Sequence, residues 1–152
     1  MPTSVVRLAH HAAVPLAVVR RQARQSDLSR VVPECCGLVW SALTAQGVRG
    51  GRHVAVYLDG EIRLEVGVEI SAPFAERDGL VRSATPAGMV ASVRHFGPYG
   101  GLGAAHDAVR KFCAAGNHRF AGPSWEIYGH WTPECDADPS QIVTDVCYLI
   151  EA

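Results

Sequence analysis

"VASVR", residues 90–94, echoes "LAVVR", residues 16–20, and that echo decides the fold. Each run is short, rich in β-branched residues and closed by an arginine, as in a strand with apolar neighbours. The same series of signals follows each. After the first comes a loop rich in Ser and Asp and then a helix predicted over 33–46. Pro33 suits its first turn, Cys36, Val39, Trp40 and Leu43 recur at three- and four-residue spacing, and Gly47 suits the residue just past its end. Strands are predicted at 53–58 and 62–70, joined by Asp59-Gly60, a strong hairpin signal. After the second run, Gly97-Pro98-Tyr99-Gly100-Gly101 breaks the strand, and a helix is predicted over 102–115. Its stripe is Leu102, Ala105, Val109, Phe112 and Cys113, and Gly116-Asn117 closes it. A strand at 125–131, a loop with Pro133 and Pro139, and a strand at 142–150 complete the chain.

The order β-α-β-β therefore occurs twice, and the halves overlay "VAVY" (54–57) on "WEIY" (125–128). Tyr57 then corresponds to Tyr128 and Ala55 to Glu126, so only one half carries the acid. The predicted fold class is α+β: two pseudo-repeated modules forming an antiparallel sheet, with helices on one face and a central groove as the default small-molecule site. The expected organisation is one domain, with a first module at about 15–70, a connector over 71–87 and a second module at about 88–151.

Glu126 lies in "GPSWEIYGHW", residues 122–131, among two tryptophans, a tyrosine and an isoleucine. Residues two apart on a strand share a face, so Glu126, Tyr128 and His130 should point one way and Trp125, Ile127 and Trp131 the other. One face must cover the helices and the other must line a groove or meet solvent, and alternation does not say which. Glu126 as a solvated carboxylate beside core Trp125 and Ile127 is one outcome. A buried Glu126 would need a cation, a hydrogen-bond donor or a chemical role to offset its desolvation.

Composition narrows the function classes. The chain has 152 residues, 48% of them apolar, and a formal net charge of -1. Its arginines are scattered, which argues against direct nucleic-acid binding. No apolar stretch approaches the roughly 18 residues of a membrane span, and no secretory leader is visible at the N-terminus. A cytoplasmic location and a monomer or homodimer are expected. Five cysteines form no C-x-x-C pair, and seven histidines show no repeated ligand spacing with carboxylates, so free thiols and no metal are expected. The adjacent Cys35-Cys36 pair is poorly placed to bridge on a helix. Gly100, Gly101 and Gly103 lack the residues that complete a phosphate cradle, and no cofactor is implied. His106 and Asp107 fall beside the helical stripe and His95 precedes the turn. With no nucleophile elbow in the chain, these histidines read as surface or capping residues.

"HFGPYGGLGAAHDAVRKFC", "GPSWEIYGHW" and "TDVCYLI" together resemble the GyrI-like small-molecule-binding domain, the bacterial effector-binding domain family. The likeness runs from about Pro15 to Ile150 and is most specific in the second half. It implies an aromatic groove with a buried glutamate, here Glu126 with Tyr128 on its face. Tyr99 and Tyr148 are the favoured lining aromatics, followed by Trp40, Tyr57, Phe96 and Trp131. It further implies binding of bulky hydrophobic or cationic aromatic compounds, for sequestration or sensing. The residues before Pro15 are too few for a DNA-binding region, so the stand-alone form is expected. An alternative implied by the resemblance is a hydrolase that opens cyclopropane-bearing toxins, with Glu126 and Tyr128 as catalytic residues. A module that binds a peptide in the same groove is a third expectation.

Overall fold

The computed structural model describes residues 5–58, 63–130, 135 and 137–151. The architecture is α+β, with eight strands paired antiparallel and two long helices among the described residues. The chain divides into two compact units, residues 13–86 and residues 1–12 with 87–152.

The unit 13–86 contains β2 (Pro15–Gln22), α1 (Leu28–Ala45), β3 (His53–Tyr57), β4 (Arg63–Glu69) and β5 (Val81–Ala84). Its strands run in the order β3-β4-β2-β5. Leu16 to Val19 and Leu64 to Val68 are buried at every position, so β2 and β4 are covered on both faces. α1 packs against β4 and β2 through Cys35, Val39 and Leu43, one residue per turn. At its C-terminus Gly47 takes a left-handed φ of 70°, and Val48 N donates to Leu43 O at 2.9 Å.

The other unit contains β1 (Arg7–His11), β6 (Gly88–Phe96), α2 (Leu102–Ala115), β7 (Phe120–Tyr128) and β8 (Val143–Ile150), with strand order β1-β6-β8-β7. Ala105, Val109 and Cys113 of α2 pack on Ala91, Val93, Val146, Tyr148 and Ile150. α2 ends as α1 does: Asn117 takes φ 57°, and His118 N donates to Cys113 O at 2.8 Å.

The internal repeat holds at the level of strand register. Val19 pairs with Val66 and Val93 with Val146; Ala55 pairs with Val66 and Glu126 with Val146; Tyr57 pairs with Leu64 and Tyr128 with Thr144. Even the closing arginines are used alike. Arg20 Nε meets Glu65 Oε2 and Arg94 Nε meets Asp145 Oδ1, each at 2.8 Å. The matched helix ends set Leu43 against Cys113, which sets Cys36 against His106.

Several boundaries differ from the sequence reading. α1 begins at Leu28, directly after a 3-10 turn at Gln25–Asp27, so Pro33 lies inside the helix instead of in its first turn. A proline there forfeits one hydrogen bond, which the packed stripe downstream outweighs. Residues 81–84, inside the stretch expected to be a connector, form β5 against β2, and residues 7–11 form β1 against β6. β7 begins at Phe120, before the expected Trp125, because an irregularity between Phe120 and Ser124 admits Gly122 at φ 126° and Pro123 within the strand. It ends at Tyr128, so His130 does not share a strand face with Glu126. The Asp59-Gly60 turn lies outside the described residues.

Candidate functional site

Glu126 is placed by register. Its partner Val146 belongs to the core beneath α2, so Glu126, Tyr128 and Tyr148 share the sheet face that α2 covers, whereas Trp125 and its partner Cys147 lie on the other face, both 1% exposed. The face that strand alternation left open is thus the one that α2 covers in this unit. The solvated alternative for Glu126 is also set aside, because its side chain is only 8% exposed.

The hydrogen bonds around this acid form a chain. Tyr128 Oη donates to Glu126 Oε1 at 2.5 Å. His106 Nε2 lies 2.6 Å from Glu126 Oε2, and His106 Nδ1 lies 2.6 Å from Tyr148 Oη. A neutral imidazole satisfies every contact if Nε2–H donates to the carboxylate and Nδ1 accepts the Tyr148 hydroxyl proton. A charged imidazolium donates at both nitrogens, and Tyr148 Oη then accepts. The helix, the central strand and the edge of this unit's sheet thus converge on one carboxyl.

Aromatic rings surround the chain. Tyr99, from the 3-10 turn Tyr99–Gly101 ahead of α2, meets the Tyr128 ring edge-on with centroids 5.8 Å apart. His106 and Tyr148 are also edge-on, at 5.5 Å, and Phe120 tilts against Tyr148 at 4.9 Å. Arg110 places its guanidinium 5.9 Å from the Tyr148 ring centroid. Burial pushes the Tyr148 hydroxyl above the ordinary phenol range; the Arg110 charge opposes this and the Glu126 charge adds to it. Tyr148 therefore keeps its proton at neutral pH.

Of the residues expected at the site, Glu126, Tyr128, Tyr99 and Tyr148 come together. Phe96 is 48% exposed at the end of β6. Trp40 and Tyr57 belong to the unit 13–86, where Trp40 is 49% exposed and lies 5.8 Å from the His53 ring. Trp131 lies outside the described residues. His106 and Phe120 were not expected there. The reading of His106 as a surface or capping residue is corrected: its side chain is 16% exposed and links Glu126 to Tyr148. The signal lay in its spacing, four residues after Leu102 and three before Val109, which puts a polar ring on the buried stripe where it must find partners. Among the described residues no group of three or more His, Cys, Asp or Glu side chains could hold a metal ion, and no helix is long and apolar enough to cross a membrane.

Solved structures share this fold. The chain matches the EcmrR C-terminal domain with a TM-score of 0.78 at 15% identity, over 97% of this chain and 98% of that one. It matches SAV2435, solved bound to tetraphenylphosphonium, with a TM-score of 0.68 at 8% identity, over 97% of this chain and 94% of that one. A hydrolase from Listeria innocua matches with a TM-score of 0.62 at 11% identity, over 99% of this chain and 94% of that one. No protein-family model and no curated protein matches the chain. At 8 to 15% identity these likenesses show the fold alone.

Proposed function

We propose that the chain is a small-molecule-binding domain that takes bulky hydrophobic cations of aromatic character at Glu126. The observation that carries this reading is the buried Glu126 carboxyl held among the rings of Tyr99, Tyr128 and Tyr148. A carboxylate so placed attracts a diffuse cation, and each favourable ring face adds about 0.5 to 2 kcal/mol of cation–π attraction. SAV2435, which shares the fold, was solved with tetraphenylphosphonium, a cation of this kind. The test is calorimetric titration of tetraphenylphosphonium and of unrelated cationic dyes. Micromolar binding is expected, weakened at least tenfold by Glu126→Gln; an unchanged affinity in that variant would remove the counter-ion role.

A second reading has its own support. Tyr148 is a protonated phenol joined to Glu126 through His106, so an acid and a base are coupled at one site. In this reading the chain is a hydrolase of cyclopropane-bearing or similar electrophilic compounds, with Glu126 activating water and a tyrosine, Tyr128 or Tyr148, protonating the developing oxygen. Incubation with such a compound should yield a product heavier by one water in mass spectrometry. An unaltered compound after prolonged incubation would exclude it.

A further inference from the structure

We propose that His106 is the resident counter-charge of Glu126 and is exchanged for the ligand cation, so that binding a cation at this carboxylate releases a proton from the imidazole. The inference rests on the cation-binding reading given above and adds to it a proton linkage and the residue that produces it.

The geometry supplies the competition. His106 Nε2 and Glu126 Oε2 are 2.6 Å apart, with side chains 16% and 8% exposed. An imidazolium there neutralises the acid, and a ligand cation drawn to the same acid would face a like charge with little solvent between them. Loss of the imidazole proton relieves that repulsion and restores a net negative site.

The same geometry gives His106 hydrogen-bond partners in either charge state. When His106 is charged, Nδ1–H donates to Tyr148 Oη. When it is neutral, the Tyr148 hydroxyl turns and donates to Nδ1, and Nε2–H keeps its bond to Glu126. Neither state leaves either ring nitrogen of His106 unpaired, so neither carries the cost of an unsatisfied buried donor or acceptor. Tyr148 retains its own proton and can serve both arrangements.

Among the described residues, the neighbouring charged side chains of α2, β6 and β8 pair with one another. On α2, Asp107 and Arg110 pair with each other at 3.1 Å, and Arg110 spreads over the Tyr148 ring. β7 contributes Glu126 and the Tyr128 hydroxyl that donates to it, β8 contributes Tyr148, and the turn before α2 contributes Tyr99. Cys113 lies deeper along α2, its thiol raised by burial and so neutral. Arg94 of β6 and Asp145 of β8 pair with each other on the opposite sheet face, the one away from Val146.

The test is calorimetric titration of tetraphenylphosphonium into the full chain, in pairs of buffers with different protonation heats. Because imidazoles change charge between about pH 5 and 8, binding should be about tenfold or more weaker at about pH 5.5 than at about pH 8, with proton release approaching one per ligand at the lower pH. His106→Gln, whose amide can still donate to Glu126, should lose both the proton release and the pH dependence, whatever its absolute affinity. A second measurement needs no ligand: imidazole nitrogen chemical shifts at about pH 6 should report a smaller charged fraction of His106 in Glu126→Gln than in the wild type. Wild-type binding without proton release, or a His106→Gln variant with the wild-type pH dependence, would overturn the exchange. An unchanged charged fraction in Glu126→Gln would overturn the pairing itself. Absence of tetraphenylphosphonium binding at every pH would overturn the cation reading and the exchange with it, and the spectroscopic comparison would then judge the pairing alone.

Discussion

Glu126 and Ala55 hold the same station in the two units: Glu126 pairs with Val146 on β8, and Ala55 pairs with Val66 on β4. The helices continue the correspondence, since Cys36 follows the buried Cys35 as His106 follows the buried Ala105. One unit therefore has an acid and its histidine where the other has a methyl group and a thiol. The pairing itself can be transplanted as a test. Ala55→Glu places a carboxyl at a fully buried position without an imidazole to receive it, and should lower stability by about 3 kcal/mol or more. Adding Cys36→His should restore a substantial part of that loss. Urea unfolding midpoints of the single and double variants decide the matter, and strict additivity would refute the equivalence.

A glycine on β4 is fixed by the strand beside it. A Cβ at Gly67 would stand 1.8 Å from Ala17 O and 2.7 Å from Val18 Cα, both backbone atoms of the paired strand. No side-chain rotation relieves such a contact, so Gly67→Ala should cost at least about 2 kcal/mol in denaturant unfolding. Gly37 gives the contrast. It lies inside α1 with nothing within 4 Å of its added Cβ, and Gly37→Ala should stabilise by about 0.5 to 1 kcal/mol. Equal effects at the two sites would contradict the strand register.

The thiol that replaces the histidine in the first unit should be unreactive. Burial, with a smaller contribution from Cys35, pushes the Cys36 thiol up to about 11. A raised value means less thiolate at any given pH, about two hundredfold less at pH 8 than for an ordinary thiol near 8.5. Alkylation of Cys36 by iodoacetamide, followed by peptide mapping, should be correspondingly slow. Its rate should rise about tenfold per pH unit past pH 9 and level off only near 11, whereas in the urea-unfolded chain it should level off near 9. Levelling near 9 in the folded protein would show an ordinary thiol.

The parts of the fold that were legible in the sequence are those in which burial writes a pattern. Leu16 to Arg20 and Val90 to Arg94 sit in central strands, and their apolar runs with closing arginines gave the repeat and the equivalence of Tyr57 with Tyr128. "RLAHH" of β1 and "VRSA" of β5 carried no such pattern, because each pairs with one neighbouring strand and none of its residues is buried. Glu126 stood out as an acid among aromatics. His106 did not, because its partners are 20 and 42 residues distant and no local spacing joins them. Only its place on the apolar stripe of α2 marked it.

Thr144 offers a last test on the strand that faces Tyr128. Its side chain is fully buried, and among the described residues Thr144 Oγ1 has no hydrogen-bond partner. It pairs across strands with Tyr128, whose own hydroxyl is given to Glu126. A buried hydroxyl without a partner has lost its water contacts and gained nothing in return. Thr144→Val keeps the branched shape and removes the polar atom, so it should stabilise the fold by about 1 kcal/mol and raise the thermal midpoint by a few degrees. A loss of stability instead would show that the hydroxyl is hydrogen-bonded in the folded protein.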